Sequence, residues 1–240
     1  MNDVATVMWK EWREIKAQSE FSPATMRIAA IVLALVIAGV AALGGPFLLR
    51  TPMTFVAVWA PLIGVMSTIC ESFAGERERH TLETLLASRL SSESLLAGKI
   101  AVHVVYGWSM SLALVALFTV GANALTLRNG FVLPTGATLY SVAVLTPLLL
   151  FALAAAGVLV SLRAPTVRLA QARLVSGFML VFIVLALTSL LMPRSWKAAA
   201  KAPHTVAIAL GVWTFILLAA DVALLLAAYA RFQRDKLIAS

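Results

Sequence analysis

The sequence predicts an all-α polytopic membrane protein. It has six transmembrane helices, an N-terminal interfacial amphipathic helix and one long polar segment between helices 2 and 3. Three observations predict this. Of 240 residues, 61% are hydrophobic and 12% are charged, whereas soluble domains run at about 45–50% apolar and about 25% charged. The apolar residues fall in charge-bounded runs of roughly 20, enough for a helix to cross about 30 Å of hydrocarbon. Basic residues also collect in alternate connections. Continuous apolar runs favour helices, because a membrane barrel is built from short alternating strands.

The elements follow in order. Residues 1–22 form the interfacial elbow. Val4, Met8, Trp12 and Ile15 fall on one helical face, with Asp3 as N-cap. Trp9, Lys10, Arg13 and Lys16 flank that face, and tryptophans beside basic residues suit a helix in the headgroup plane. Ser22 and Pro23 end it. Six spans follow, at about 28–49, 53–73, 100–125, 138–162, 174–193 and 206–230. The first 27 residues hold no apolar signal-peptide core, so the first span is expected to direct insertion itself. The chain reads as a single transmembrane domain, 1–240, without an internal repeat.

Charge sets the orientation. The N-terminal segment, the two connections after spans 2 and 4, and the C-terminal tail carry fourteen of the 19 basic residues. Arg50, Arg128, Arg194, Lys197 and Lys201 lie on the other side. The positive-inside rule then puts both termini in the cytoplasm. The net charge of +8 is explained by those loops, and a nucleic-acid partner is not expected. The single cysteine, Cys70, excludes an internal disulfide.

The polar segment, 74–99, is therefore cytoplasmic. Gly75 is expected to break the helix leaving span 2. Leu82, Leu85 and Leu86 make an apolar stripe on a short helix. Arg79 with Glu83, and Glu76 with His80, are spaced to pair across a helical turn. Ser91 or Ser92 can cap a second helix that runs through Leu95 and Leu96 into span 3. The leucine stripe needs a surface to bury against: the bilayer, another loop or a soluble partner.

The order Phe73-Ala74-Gly75-Glu76-Arg77-Glu78, Thr81-Leu82-Glu83, Leu85-Leu86-Ala87, Leu90-Ser91 and Gly98-Lys99 resembles the signature of type-2 ATP-binding-cassette (ABC) transporter permeases, where it follows the second of six spans. The match covers about thirty residues closely and the whole chain in topology. His80 and Arg89 depart from the usual pattern, which has a smaller or basic residue and a proline there. The resemblance implies that 74–99 is a coupling segment docking on a cytoplasmic nucleotide-binding subunit through Glu76, Arg77, Glu78, Thr81, Leu82, Glu83, Leu85, Leu86, Gly98 and Lys99. It implies two copies of that ABC ATPase, a second permease copy or paralogue, and a prokaryotic cytoplasmic (inner) membrane. Export is the implied direction. The substrate is not readable. ATP and magnesium belong on the partner, with no cofactor on this chain: the one Gly-Lys pair, Gly98-Lys99, is followed by Ile100, and Glu93 stands where a phosphate loop needs glycine.

Within the spans Asp221 stands out, because a charge at the bilayer centre costs about 2.5–3.5 kcal/mol on insertion scales. Two readings are open. It lines a translocation or gating path near Asn123 or Thr119, or it has no part in such a path, being a structural partner for another polar group or shallow enough to meet headgroups. Glu71 and His103 are expected to be wetted helix-end residues. Pro61 and Pro147 should kink spans 2 and 4. Ala152, Ala156 and Gly157 give small-residue spacing that permits close helix packing. Two other function classes fit less well. An ion-driven carrier needs acidic residues in several spans, and only Asp221 qualifies. An intramembrane hydrolase built on Glu76, Glu78 and His80 would place them in a polar loop, without a His-Glu-x-x-His zinc motif.

Overall fold

In the computed structural model, residues 3–18, 51–79, 91–125, 131, 133–191, 193 and 202–231 are described. They are all-helical, with no strand among them. Helix α1 is Asp3–Gln18. Helix α2 runs as Thr51–Cys70, passes through a π-helical turn at Glu71–Gly75 and ends with Glu76–Glu78. Helix α3 is Ser92–Leu125. Helix α4 comprises Gly136–Tyr140, a second π turn at Ser141–Leu145 and Thr146–Ser161. Helices α5 and α6 are Val167–Leu191 and Pro203–Arg231. The last five are each long and apolar enough to cross a membrane. The expected first span, 28–49, lies outside the described residues.

Helix α4 is central and packs on α2, α3, α5 and α6, while α1 packs along α3. The core is built from Leu62, Val65 and Ile69 of α2, Leu95 and Ile100 of α3, and Leu150, Leu153 and Val158 of α4. Helices α5 and α6 leave long apolar faces uncovered, with Leu180, Leu190 and Phe215 each about two-thirds exposed or more. Such faces suit contact with lipid. Close approach needs glycine at two positions in this core. A Cβ on Gly157 would sit 2.6 Å from Cγ2 of Ile69, and one on Gly107 would sit 2.7 Å from Leu150. The small-residue spacing around Gly157 therefore marks the α2–α4 contact.

The two prolines are handled by α3. Inside an α-helix, a proline leaves the carbonyl four residues earlier without its donor. For Pro61 that carbonyl belongs to Ala57, and the buried hydroxyl of Ser111 donates to it at 2.7 Å. Pro147 follows a π turn, where the register is five residues, so the freed carbonyl is that of Val142. The Trp108 indole donates to it at 3.0 Å. The Thr146 hydroxyl similarly reaches Ser141 O at 3.0 Å. Trp108 and Ser111, one turn apart on α3, thus stitch α4 and α2 at their weak points. Replacing Ser111 with Ala should lower stability by about 1–2 kcal/mol, the scale of an interhelical hydrogen bond in a membrane protein. Thermal unfolding in detergent checks this, and an unchanged midpoint would show that the Ala57 carbonyl finds another donor.

One expectation changes here. Gly75 does not break the helix: it has φ −65° and ψ −38°, and the chain stays helical to Glu78. One wide π turn absorbs the irregularity, and Gly75 is buried with Val167 nearby. Ser91 does cap α3, its Oγ accepting from Ser94 N at 3.1 Å. Residues 74–78 and 92–99 of the polar segment are therefore helical extensions of α2 and α3.

Candidate functional site: a charged clamp at one end of the bundle

The site starts from a lysine in an apolar run, Leu95-Leu96-Ala97-Gly98-Lys99-Ile100. Being on the second turn of α3, Lys99 faces the core and is fully buried. A buried ammonium costs several kcal/mol unless it is met by charge and hydrogen bonds. Lys99 has both. Its Nζ lies 2.7 Å from Oε1 of Glu11 and 3.1 Å from Oε1 of Glu76. It donates to the Ser72 carbonyl at 2.7 Å and to Ser72 Oγ at 2.9 Å. The Phe73 ring centroid is 4.9 Å away. Ser72 Oγ in turn donates to Oε2 of Glu11 at 2.8 Å, so both oxygens of that carboxylate are held. The Ser72 carbonyl is presented by the π turn of α2, an irregularity of a kind that gathers at functional sites.

Glu11 comes from α1. The face this helix buries is Val7, Glu11 and Ile15; Ile15 is buried as hydrophobic periodicity expected, while Val7 and Glu11 take the place of Val4, Met8 and Trp12. Trp12 is 42% exposed and meets Tyr106 edge-on at 6.4 Å. The displacement has a cause: the carboxylate must reach Lys99, and Gly98 lets α1 come close enough. A Cβ on Gly98 would lie 2.8 Å from Cβ of Val7 and 3.2 Å from the Val4 carbonyl oxygen. On the outer side of the network, Lys10 bonds Glu76 at 3.2 Å and pairs with Glu14 at 3.5 Å. Burial alone would lower the Lys10 ammonium, but Glu76, Glu14 and Glu11 outweigh it and hold it above its ordinary value. Oxygens of Glu11, Glu14 and Glu76 lie within 4.8 Å of one another. Two ammonium groups already bond to that trio, which makes it an ion-pair network.

The next two charges reach another connection. Arg77 Nη2 donates to Leu162 O at 2.8 Å, and Nη1 to Ala164 O at 3.4 Å. These carbonyls lie at the C-terminal end of α4, where helix dipoles favour a cation. Glu78 Oε1 accepts from Val167 N at 2.8 Å, at the N-terminus of α5, where they favour an anion. Adjacent Arg77 and Glu78 therefore grip opposite sides of the 162–166 turn. At the same end of the bundle Tyr229 of α6 donates to Glu93 of α3 at 2.7 Å. The run Glu76-Arg77-Glu78 thus gathers α1, α3 and the α4–α5 turn around the end of α2. The arrangement ties three helices and one turn together through paired charges and hydrogen bonds.

Five of the sequence-predicted site residues meet here: Glu76, Arg77, Glu78, Gly98 and Lys99. They face their own chain. Lys99 and Gly98 are buried, and Glu76 nearly so. Thr81, Leu82, Glu83, Leu85 and Leu86, like His80 and Arg89, lie outside the described residues. Sequence reading missed Glu11, Ser72 and Lys10 as members. The available signal was a carboxylate inside the Val7–Glu11–Ile15 stripe and a lysine inside an apolar run. His103, expected to be wetted, is fully buried, with Nδ1 2.6 Å from Lys99 O.

Asp221 and Asn123 are not brought together. Asn123 lies thirty residues along α3 from Glu93, about 45 Å, and its amide donates to Thr119 O at 2.8 Å. Asp221 lies eight residues from Tyr229, about 12 Å from the Glu93 level. The two occupy different depths. Asp221 is 6% exposed, on the α6 face that carries buried Leu217 and Ala228, and its Oδ1 has no hydrogen-bond partner among the described residues. No family model matches the chain, and neither does any curated protein compared with it.

Proposed function

We propose that the chain is the membrane-spanning permease subunit of an ATP-driven transporter of the ABC type-2 class, working as an exporter. A separate nucleotide-binding subunit supplies ATP hydrolysis. One observation carries the proposal: the signature segment is rooted at both ends in the clamp. Its first root, Glu76 to Glu78, holds Lys99, Lys10 and the α4–α5 turn. Its second root, Gly98-Lys99, holds α1. A push on residues 79–91 is therefore delivered to five helices together, as coupling to an ATPase demands.

The orientation follows from charge. In this reading the clamp end is cytoplasmic, supported by exposed Arg79, Arg163, Arg168, Arg173 and Arg231 at that end and the positive-inside rule. At that level α1 exposes Trp9 with Arg13 stacked 4.8 Å over its ring, suiting the headgroup zone. In this reading segment 28–49, outside the described residues, adds a sixth span to the other five. Two permease copies and two ATPase copies make the transport unit in this reading, and the uncovered faces of α5 and α6 are available to lipid or the second copy.

The clamp geometry decides which variant tests docking. Reversing charge at Glu78 would uncap α5, so a loss of activity there would not separate docking from folding. Leu85→Asp is the cleaner choice, since Leu85 is in the leucine stripe between the two roots. It should cut co-purification of the ATPase at least about tenfold, the effect of losing an interface anchor, while the melting temperature of the permease stays unchanged. Undiminished ATPase recovery with Leu85→Asp would remove the basis for docking through the stripe.

A further inference from the structure

Between the start of α3 and the end of α6 lies an open groove of about 340 Å³, lined by Glu93, Leu96, Ala97, Leu225, Leu226 and Tyr229. Its polarity is graded. Glu93 and Tyr229 form the polar end, hydrogen-bonded to each other at 2.7 Å. Leu96 and Ala97 lie one turn deeper along α3, and Leu225 and Leu226 one turn deeper along α6. The polar end is at the limit of both membrane-crossing segments, which begin at Glu93 and end at Arg231. The groove is thus polar at headgroup depth and apolar toward the hydrocarbon, the same polarity as a phospholipid standing in one leaflet. The headgroup can be narrowed. A carboxylate has roughly four acceptor sites, and the Tyr229 hydroxyl occupies one of them. What remains is an anionic acceptor that attracts a cation able to donate hydrogen bonds.

We propose that this α3–α6 groove is a binding site for a phospholipid with a primary ammonium headgroup. The ammonium donates to the Glu93 carboxylate, and one acyl chain lies over Leu96, Leu225 and Leu226. A trimethylammonium headgroup carries the same charge but has no proton to donate. The site follows from the membrane placement of the helices and does not depend on the transport reading.

The test is photo-crosslinking in nanodiscs that contain equal amounts of phosphatidylethanolamine and phosphatidylcholine. Either lipid carries an acyl-chain diazirine in turn, and labelled peptides are mapped by mass spectrometry. Peptides bearing residues 96–97 and 225–226 should be labelled more by the ethanolamine lipid, by about fivefold, the scale of one net hydrogen bond. Glu93→Gln should bring the two lipids near parity, and Leu226→Trp should suppress labelling by both. The α5 surface around Leu180 serves as the unselective control. Equal labelling by the two lipids in the wild type overturns the proposal. So does labelling at Leu180 but not in the groove, which would mean that protein covers it.

Discussion

Replacing Lys99 by Met should cost about 3–5 kcal/mol of stability, the scale for removing one partner of a buried ion pair. The reason lies in what is left behind. Glu11 is 2% exposed and loses the ammonium at 2.7 Å. Glu76 loses a contact at 3.1 Å, and the Ser72 carbonyl loses its lysine donor. Methionine fills the volume, so the loss is electrostatic and not a cavity effect. The double variant Lys99→Met with Glu11→Gln should therefore recover a large part of the loss, since a neutral amide is far less costly to bury than an unpaired carboxylate. Thermal unfolding of the purified chain in detergent reads both. If Lys99→Met melts like the wild type, the ammonium is not what holds the network.

Gly98→Val should be comparably damaging for a steric reason. Already a bare Cβ would sit 2.8 Å from Cβ of Val7 and 3.2 Å from a backbone oxygen of Val4. Neither atom is the free end of a flexible side chain, so α1 itself must move. Overpacking alone costs about 1–3 kcal/mol, and displacing α1 also stretches the 2.7 Å Glu11–Lys99 contact. The two effects share one interface, so Gly98→Val and Lys99→Met together should fall short of the sum of the singles. Limited proteolysis adds a local readout: α1 should become cleavable in Gly98→Val while α2 to α6 stay protected. Additive losses, or an α1 as protected as in the wild type, would mean that Gly98 is not the seat of α1.

These two residues also show what the sequence could and could not reveal. The long helices were legible because uncharged runs of span length have few other uses. The Ser91 cap was legible because capping chemistry is local. The role of Gly98-Lys99 was not, because its partners, Val7 and Glu11, lie some ninety residues away. A charged residue in a signature motif reads as a surface contact, yet Lys99 turns inward. Gly75 read as a helix breaker from its intrinsic propensity, but a π turn packed inside a bundle overrides propensity. Hydrophobic periodicity placed α1 as a helix and set its buried face about one residue off, because Glu11 counts as polar in the pattern and as core in the structure. Pro61 and Pro147 were visible as irregularities; the donors that make them tolerable, Ser111 and Trp108, became visible only once α3 was seen packed between α2 and α4.

The clamp alters how the signature segment is understood. Glu76, Arg77, Glu78, Gly98 and Lys99 form its internal fastening; the leucines between them, which the proposed function assigns to a partner, lie outside the described residues. Glu76, Arg77, Glu78 and Lys99 thus tie the helix ends together, and the proposed function rests on force applied between the roots moving those ends as a unit.

That division of labour is tested most directly at Leu85. A photo-crosslinking amino acid placed there, in the full chain in its native membrane, should trap a single major partner, a soluble protein carrying a phosphate-binding loop, with trapping that changes when ATP is added. Cross-links confined to lipid or to the chain's own helices, with no such ATPase recovered, would contradict the account.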